Sequence, residues 1–269
     1  GAALGAWYLH YKNNRYLNNY EDKMQGTYLG PSFKHDEIET ELKECGAKTH
    51  IMQNDILIET VSNALINQKA IGWMQGRMEF GPRSLGARSI LADPRSSDMQ
   101  KKLNMKIKYR ESFRPFAPSI MSNHTSDWFE YNKESPYMLF VANIKKNKLV
   151  ELDENEKLLT GINKLNITRS KVPAITHVDN TARLQTVNNK TNKLFYSLLS
   201  DFNNKTGCPL LINTSFNVRG EPIVCSPTDA FKCFMGTELD ILVIGNFLLF
   251  KEEQSINFDE DYKQKYEPD

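Results

Sequence analysis

The amino-acid sequence predicts an α/β fold in which helices flank a mixed sheet. Three observations carry that reading. Short apolar, β-compatible runs are interleaved along the chain with segments of helical period. Two such runs, 241–244 and 247–250, bracket Gly245-Asn246, a two-residue hairpin signal. Ser226-Pro227-Thr228-Asp229 places serine at an N-cap, proline at the first helical position and an acid at N3, which is a well-formed helix start.

Taken in order, residues 1–11 (GAALGAWYLHY) read as a helix opening on small residues. Residues 12–30 are polar and aromatic, a linker closed by a turn at Gly30-Pro31. Residues 36–45 form an amphipathic helix with Ile38, Leu42 and Cys45 on one face and Gly46 as its stop. Residues 55–68 repeat the pattern with Ile56, Val61, Leu65 and Ile66. The apolar run 70–74 reads as a buried strand. Ser96 or Ser97 is placed to cap a helix over 99–107, and 116–121 is another short strand. Residues 143–171 are polar, lysine-rich and weakly periodic, an excursion over the fold. Residues 182–187 alternate like a strand, 192–205 are helical in pattern, and 209–212 are apolar and β-compatible. No internal repeat is present.

Composition narrows the function classes. The chain has 269 residues, of which 40% are hydrophobic, enough for one large domain or two small ones and against disorder over most of the length. No apolar run approaches the ~20 residues of a membrane helix, so no membrane association is expected. Lys plus Arg total 34 against 33 Asp plus Glu, a net charge of +1 that speaks against a globally basic nucleic-acid binder. Four scattered cysteines offer no C-x-x-C pair and five histidines no H-x-x-x-H spacing, so no metal site is expected in the chain. Thiols of this kind suit a reducing cytoplasm, the expected location. The chain starts at Gly1 with neither Met nor a leader segment, and is expected to be cut from something longer.

The neutral average hides a local excess. Between Arg77 and Arg114 there are ten bases against four acids, a net +6. By contrast the end of the chain from Glu252 carries seven acids and two lysines, and reads as a solvated tail. Something anionic is expected at the basic stretch.

Three segments concentrate residues able to hold an anion. Residues 75–88, Q-G-R-M-E-F-G-P-R-S-L-G-A-R, set Arg77, Arg83 and Arg88 among Gly76, Gly81 and Gly86. Glycine lets main-chain N–H groups turn toward an anion, and the planar guanidinium fork matches phosphate or carboxylate oxygens in pairs. The glycine spacing fits neither a Walker A loop nor G-x-G-x-x-G. In 106–121 the bases Lys108, Arg110 and Arg114 precede an apolar strand, where side chains gather at a sheet end. A solvated basic helix end would look the same, and the interleaved Tyr109, Phe113 and Phe116 also suit single-stranded nucleic acid. In 210–224 a buried strand ends in Asn213, Thr214, Ser215 and Asn217, amides and hydroxyls that fix a ligand without adding charge, or simply form an Asx or Ser turn. Arg183 sits on an otherwise apolar strand and must be paired, edge-exposed or ligand-bound.

Together, G-R-M-E-F-G-P-R-S-L-G-A-R-S-I-L-A-D-P-R, K-Y-R-E-x-F-R-P-F-A-P-S, T-A-R-x-Q-T-V and I-N-T-S-F-N-x-x-G-E-P-I-V resemble the C-terminal half of the NodU/CmcH-type carbamoyltransferases, which include nodulation proteins and the tobramycin enzyme. The resemblance runs over about 28–250 and matches 143–171 poorly. It is similar in turn to the YrdC-like fold, through Lys108-Tyr109-Arg110 and Ser215-Phe216-Asn217-x-x-Gly220. What this implies is a YrdC-like twisted mixed sheet flanked by helices over 26–252, with 1–25 as the last helix and linker of a preceding Kae1-like domain and 253–269 as an acidic tail.

The same resemblance implies an O-carbamoyltransferase part that makes carbamoyl adenylate from ATP, carried with Mg²⁺, and carbamoyl phosphate. A hydroxyl of a small molecule, like a nodulation factor or antibiotic, would accept the group in the Kae1-like half, which would also hold iron. Carried over by motif, Arg83, Lys108 and Arg114 would grip carbamoyl phosphate, with Asn213 placing its carbamoyl end. Arg183 and Ser215 would meet the nucleotide phosphates, with Arg77, Arg110 and Asn217 as further candidates. No side-chain nucleophile is needed, since carbamate can attack the α-phosphate in line while cations offset the charge. The alternatives are a non-catalytic nucleotide- or RNA-binding module, or a pocket that stays inert until the other half closes it.

Overall fold

The computed structural model describes residues 1–16, 22, 24–255, 262 and 266, and in it one sheet gathers nine strands. These are β1 (His50–Ile51), β2 (Ile71–Met74), β3 (Arg88–Ala92), β4 (Ala117–Met121), β5 (Phe140–Asn143), β6 (Thr181–Val187), β7 (Leu210–Ser215), β8 (Ile241–Ile244) and β9 (Phe247–Phe250). Their spatial order is β1-β9-β8-β2-β3-β7-β4-β6-β5. The pairs β2/β8 and β4/β6 are parallel and the others antiparallel, so the sheet is mixed, as expected. The strands β2, β3, β4 and β8 are buried on both faces, which is what a sheet covered by helices requires.

The helices are α1 (Ala2–Gly5), α2 (His35–Glu44), α3 (Asn54–Ile66), α4 (Met99–Lys106), α5 (Thr125–Trp128), α6 (Glu154–Lys157), α7 (Gly161–Leu165), α8 (Lys193–Thr206) and α9 (Pro227–Met235). α3 packs along α8, and α2 along α9, which itself lies on β2 and β8. The α9 start is the capping box read from the sequence: Ser226 Oγ accepts from Asp229 N–H while the Asp229 carboxylate accepts from Ser226 N–H. α8 begins at Asn192, whose side chain accepts from Phe195 N–H, and ends at Gly207 in the left-handed region. The β8–β9 turn falls at Gly245-Asn246. Among the described residues no helix is long and apolar enough to cross a membrane.

Several expectations need correction. In α3 the buried face runs through Leu57, Val61 and Leu65, while Ile56 is 54% exposed. Leu57 shares the four-residue spacing with Val61 and Leu65, and Ile56 does not. α4 is preceded by Asp98, not capped by Ser96 or Ser97. Asp98 has helical φ/ψ and its side chain makes no cap bond, and Ser96 supplies only a carbonyl to Met99 N–H. β3 begins with two polar residues, Arg88 and Ser89, and so shows no strand pattern. β5 is an edge strand whose Phe140 and Val141 are exposed. The strand β7 continues through Ser215, so Asn213, Thr214 and Ser215 are ladder, and Asn217 lies in the turn that follows.

The excursion 143–171 holds the short helices α6 and α7, a 3₁₀ turn at Lys146–Lys148, and isolated bridges of Ile144 with Phe129 and Leu149 with Ser170. Residues 2–10 are helical, α1 running on as a π-helical stretch, with Leu4, Trp7 and Leu9 exposed. Nearly all of the acidic tail lies outside the described residues.

Candidate functional site

A buried polar floor crosses three strands. β4 lies between β6 and β7, pairing Ser119 with Gln185 and Ala117 with Asn213. Alternate residues share a face, so Arg183 and Gln185 of β6 and Asn213 and Ser215 of β7 meet there. Asn213 Nδ2 donates to Ser84 O (3.2 Å), Ser119 Oγ (2.9 Å) and Gln185 Oε1 (2.8 Å). The Ser119 hydroxyl also donates to Gln185 Oε1, and Gln185 Nε2 donates to Leu85 O. Asn213 Oδ1, by contrast, is buried without a partner, and so is Ser84 Oγ. An orphaned buried acceptor costs about 1–3 kcal/mol, and Asn213 Oδ1 is thus left able to accept from a donor in the space above the floor.

The loop 79–88 folds over this floor around one carboxylate. Glu79 Oε1 accepts from the N–H groups of Leu85 and Ala87, each at 2.6 Å, and of Arg88 at 3.3 Å. Gly86 has φ +103 and sits where a Cβ would meet the Phe195 ring at 2.3 Å, so only glycine fits. Arg88 is fully buried, and its guanidinium donates to the carbonyls of Pro31, Gln75, Gly76, Ala87 and Cys225. Burial lowers its pKa, but guanidinium stays charged. Glu79 and Arg88 thus build the loop, and Arg83 at its tip is left exposed.

Two adjoining hollows open beside this loop. The first, of about 260 Å³, is lined by Arg83, Ser84, Arg110, Arg114, Arg183, Asn213 and Ser215 among others. The second, of about 390 Å³, has Lys108, Asn217, Arg219 and Glu221 in its wall and shares Arg110, Arg114 and Ser215 with the first. Arg83, Lys108, Arg110, Arg114, Arg183, Asn213, Ser215 and Asn217 are therefore brought together from segments far apart in the chain. Arg77 is not: it is exposed, lines neither hollow, and donates to Leu29 O at 2.8 Å, tying its loop to the segment before α2.

The cations of the hollows differ in how they are held. Arg183 is half-buried with its Nε enclosed and unpartnered; desolvation lowers its pKa, and the Arg83 charge lowers it further. Among the described residues neither Arg83 nor Arg183 has a carboxylate partner. Two guanidinium groups that repel each other and pair with no carboxylate have the charge and geometry to hold an anion. Arg114 pairs with Glu111 at 2.9 Å, and Arg110 donates to Asn104 Oδ1 at 2.7 Å while lying over the Phe116 ring.

Lys108 is 3% exposed, and its ammonium donates to Ser215 O, Ser215 Oγ, Asn217 O and Asn217 Oδ1. Burial, helped by Arg110, pushes its pKa down to about 7. This lysine is the clamp that shapes the turn after β7.

A protein-held Mg²⁺ does not fit the hollows. The first hollow has no carboxylate in its lining and the second has Glu221, whose Oε1 accepts from Tyr262 and Tyr266 while Oε2 accepts from Val218 N–H. Among the described residues no three His, Cys, Asp or Glu side chains group as a metal site requires. Of the site-building residues, sequence reasoning passed over Glu79, Ser84, Gln185, Arg219 and Glu221. The two-residue spacing of Arg183 and Gln185 was the one available signal, since it puts both on one face of a strand.

Fold and site together define an α/β domain with an arginine-lined cleft at the ends of β4, β6 and β7. The chain belongs to the carbamoyltransferase C-terminus family, whose model matches residues 62–251. It is similar to an uncharacterized protein, sll1178, of Synechocystis, at 49% identity over 100% of this chain and 44% of that protein. It is also similar to the nodulation protein NolO of Bradyrhizobium diazoefficiens, at 38% identity over 87% of this chain and 40% of that protein. A third relative is the 3'-hydroxymethylcephem-O-carbamoyltransferase of Streptomyces clavuligerus, at 33% identity over 69% of this chain and 31% of the enzyme. The chain thus spans well under half the length of these relatives.

Proposed function

We propose that this chain is the activating part of an O-carbamoyltransferase, forming carbamoyl adenylate from ATP and carbamoyl phosphate for transfer to a hydroxyl of a small molecule. The observation that carries the reading is the orphaned Asn213 Oδ1 in a hollow walled by Arg83 and Arg183. An anion that also bears an N–H donor satisfies all three groups, and carbamoyl phosphate is such a molecule. The cephem relative is named for carbamoyl transfer to oxygen, which fits.

In this mechanism carbamoyl phosphate first loses its phosphate to water, leaving carbamate with its NH₂ donated to Asn213. A carbamate oxygen then forms a bond to the α-phosphorus of ATP as the bond to the bridging oxygen breaks, and pyrophosphate departs with the electron pair. Arg83 and Arg114 would hold the carbamoyl phosphate side, Arg183, Arg110 and Ser215 the nucleotide phosphates. Lys108 would act on the ligand through Ser215 and Asn217, whose positions it sets. Catalysis here is positioning plus electrostatic stabilisation. Mg²⁺ would arrive on the triphosphate, because Glu221, the carboxylate in the wall of the second hollow, is already held by Tyr262, Tyr266 and Val218 N–H. The acceptor and the iron would belong to a Kae1-like half, and a cytoplasmic setting suits both substrates and the four free thiols.

The test is pyrophosphate release from ATP by the chain, measured with and without carbamoyl phosphate. Release that depends on carbamoyl phosphate, and that falls at least tenfold in Asn213→Ala, is the expected result. ATP turnover indifferent to carbamoyl phosphate, or salt-sensitive RNA binding without turnover, would replace this reading with that of a nucleotide- or RNA-binding module.

A further inference from the structure

Two residues of the polar floor line neither hollow and have no part in the scheme above. Gln185 is 2% exposed and Ser119 0%, yet both bond to Asn213, which does line the first hollow. The two ends of a side-chain amide have nearly the same shape, and one donates while the other accepts. Its neighbours therefore decide which end meets a ligand. For Asn213 they leave one answer.

That answer is set at a distance and handed on. At the start of α8 the Phe195 N–H can only donate, so Asn192 turns Oδ1 to it at 3.1 Å and Nδ2 to the Tyr28 hydroxyl, also at 3.1 Å. The Tyr28 hydroxyl in turn donates to Leu85 O at 2.7 Å. Leu85 O, in the loop fixed by Glu79, can only accept, so Gln185 must present Nε2 to it, at 2.7 Å. Gln185 Oε1 then accepts from the Ser119 hydroxyl and from Asn213 Nδ2 at 2.8 Å. Because the one hydrogen of Ser119 Oγ is spent on Gln185, this oxygen can only accept from Asn213, at 2.9 Å. A second main-chain carbonyl, Ser84 O, takes the same amino group at 3.2 Å. Asn213 Nδ2 is thus committed to the floor, and Oδ1 is the end that remains, buried and unpartnered.

We propose that Gln185 is a specificity-determining positioning residue: by fixing the Asn213 amide it makes the cleft select acyl phosphates whose acyl group carries an N–H over isosteres with a methyl there. This rests on the reading that Asn213 meets the carbamoyl end of the ligand, and it assigns the choice to a residue that never touches that ligand. Acetyl phosphate has the outline and charge of carbamoyl phosphate with CH₃ in place of NH₂, and it would leave Oδ1 unsatisfied. A site built to hydrogen-bond its substrate rejects an analogue lacking that bond more strongly than shape alone can.

The experiment titrates carbamoyl phosphate, acetyl phosphate and inorganic phosphate calorimetrically into the unaltered chain, Gln185→Met and Ser119→Ala. The unaltered chain is expected to prefer carbamoyl phosphate to acetyl phosphate about ten- to a hundredfold. In Gln185→Met the Ser119 hydrogen is released to donate to the amide oxygen, and the amide can turn over. The preference then shrinks to about threefold or less through weaker carbamoyl phosphate binding, with inorganic phosphate unchanged. Ser119→Ala leaves Nδ2 on Gln185 and Ser84 O, and keeps the preference. Equal affinity of the unaltered chain for the two acyl phosphates would overturn the selection without recourse to any variant. A preference that survives Gln185→Met, or a parallel loss of all three ligands, would overturn the role of Gln185, since a side chain that only packs weakens every ligand alike. Inorganic phosphate that binds where neither acyl phosphate does would instead sink the carbamoyl phosphate reading beneath it.

Discussion

Replacing Arg183 with methionine separates what this side chain does for binding from what it does to the ligand-free fold. Its guanidinium is half-buried, its Nε is enclosed without a partner, Nη2 donates to Met138 Sδ at 3.9 Å, and the charge of Arg83 repels it. An unsatisfied buried donor costs about 1–3 kcal/mol, and the partial exposure of this one places the relief near the low end, about 1 kcal/mol. For a chain of this size that is a rise in Tm of roughly 2–4 °C. Binding moves the other way: losing a charge-assisted contact to phosphate removes about 1.5–3 kcal/mol, roughly ten- to over a hundredfold in affinity. Thermal unfolding followed by circular dichroism, alongside calorimetric titration of tripolyphosphate, reads both quantities on the same preparation. A variant that melts lower than the parent and binds tripolyphosphate equally well would refute the argument on both counts.

Other perturbations test the scaffold. Lys108 holds a proton up to about 7 in the fold and up to its ordinary value of 10.5 when unfolded. Between those limits the unfolded chain binds the extra proton, so this group makes stability rise with pH above about 7. Urea unfolding of the chain and of Lys108→Met across that range checks it, and the parent gaining stability relative to the variant as pH rises is the expected outcome. Glu79→Leu strands the N–H groups of Leu85 and Ala87 inside the loop and should cost about 3 kcal/mol or more, whereas Glu79→Gln keeps an acceptor oxygen and loses less. Denaturant midpoints of the two variants, compared at equal m-value, decide between carboxylate and generic packing.

Much of this architecture was legible because period and capping chemistry act locally. The α9 capping box, the β8–β9 turn and the buried runs of β2 and β4 follow from residues adjacent in the chain. β3 escaped because its first residues are polar yet buried, a placement decided by the carbonyls around the Arg88 guanidinium, which no local pattern announces. Within the site, bases were visible as an unusual excess of charge, but charge alone does not say which way a side chain faces. Arg77 and Arg83 lie in one loop; the first is turned to Leu29 and the second to the hollow, and Glu79 decides the difference by folding the loop between them. Lys108 looked like a free cation and is enclosed by the turn it shapes.

The floor formed by Ser119, Gln185 and Asn213 contains no ionisable group. Proton traffic therefore stops at the rim, where lysine and arginine stand, and the bed beneath keeps one hydrogen-bonding polarity at any acidity the fold survives. A guest with an amino donor and one with only oxygens would be told apart there by direction of donation, in strong salt as well as in weak.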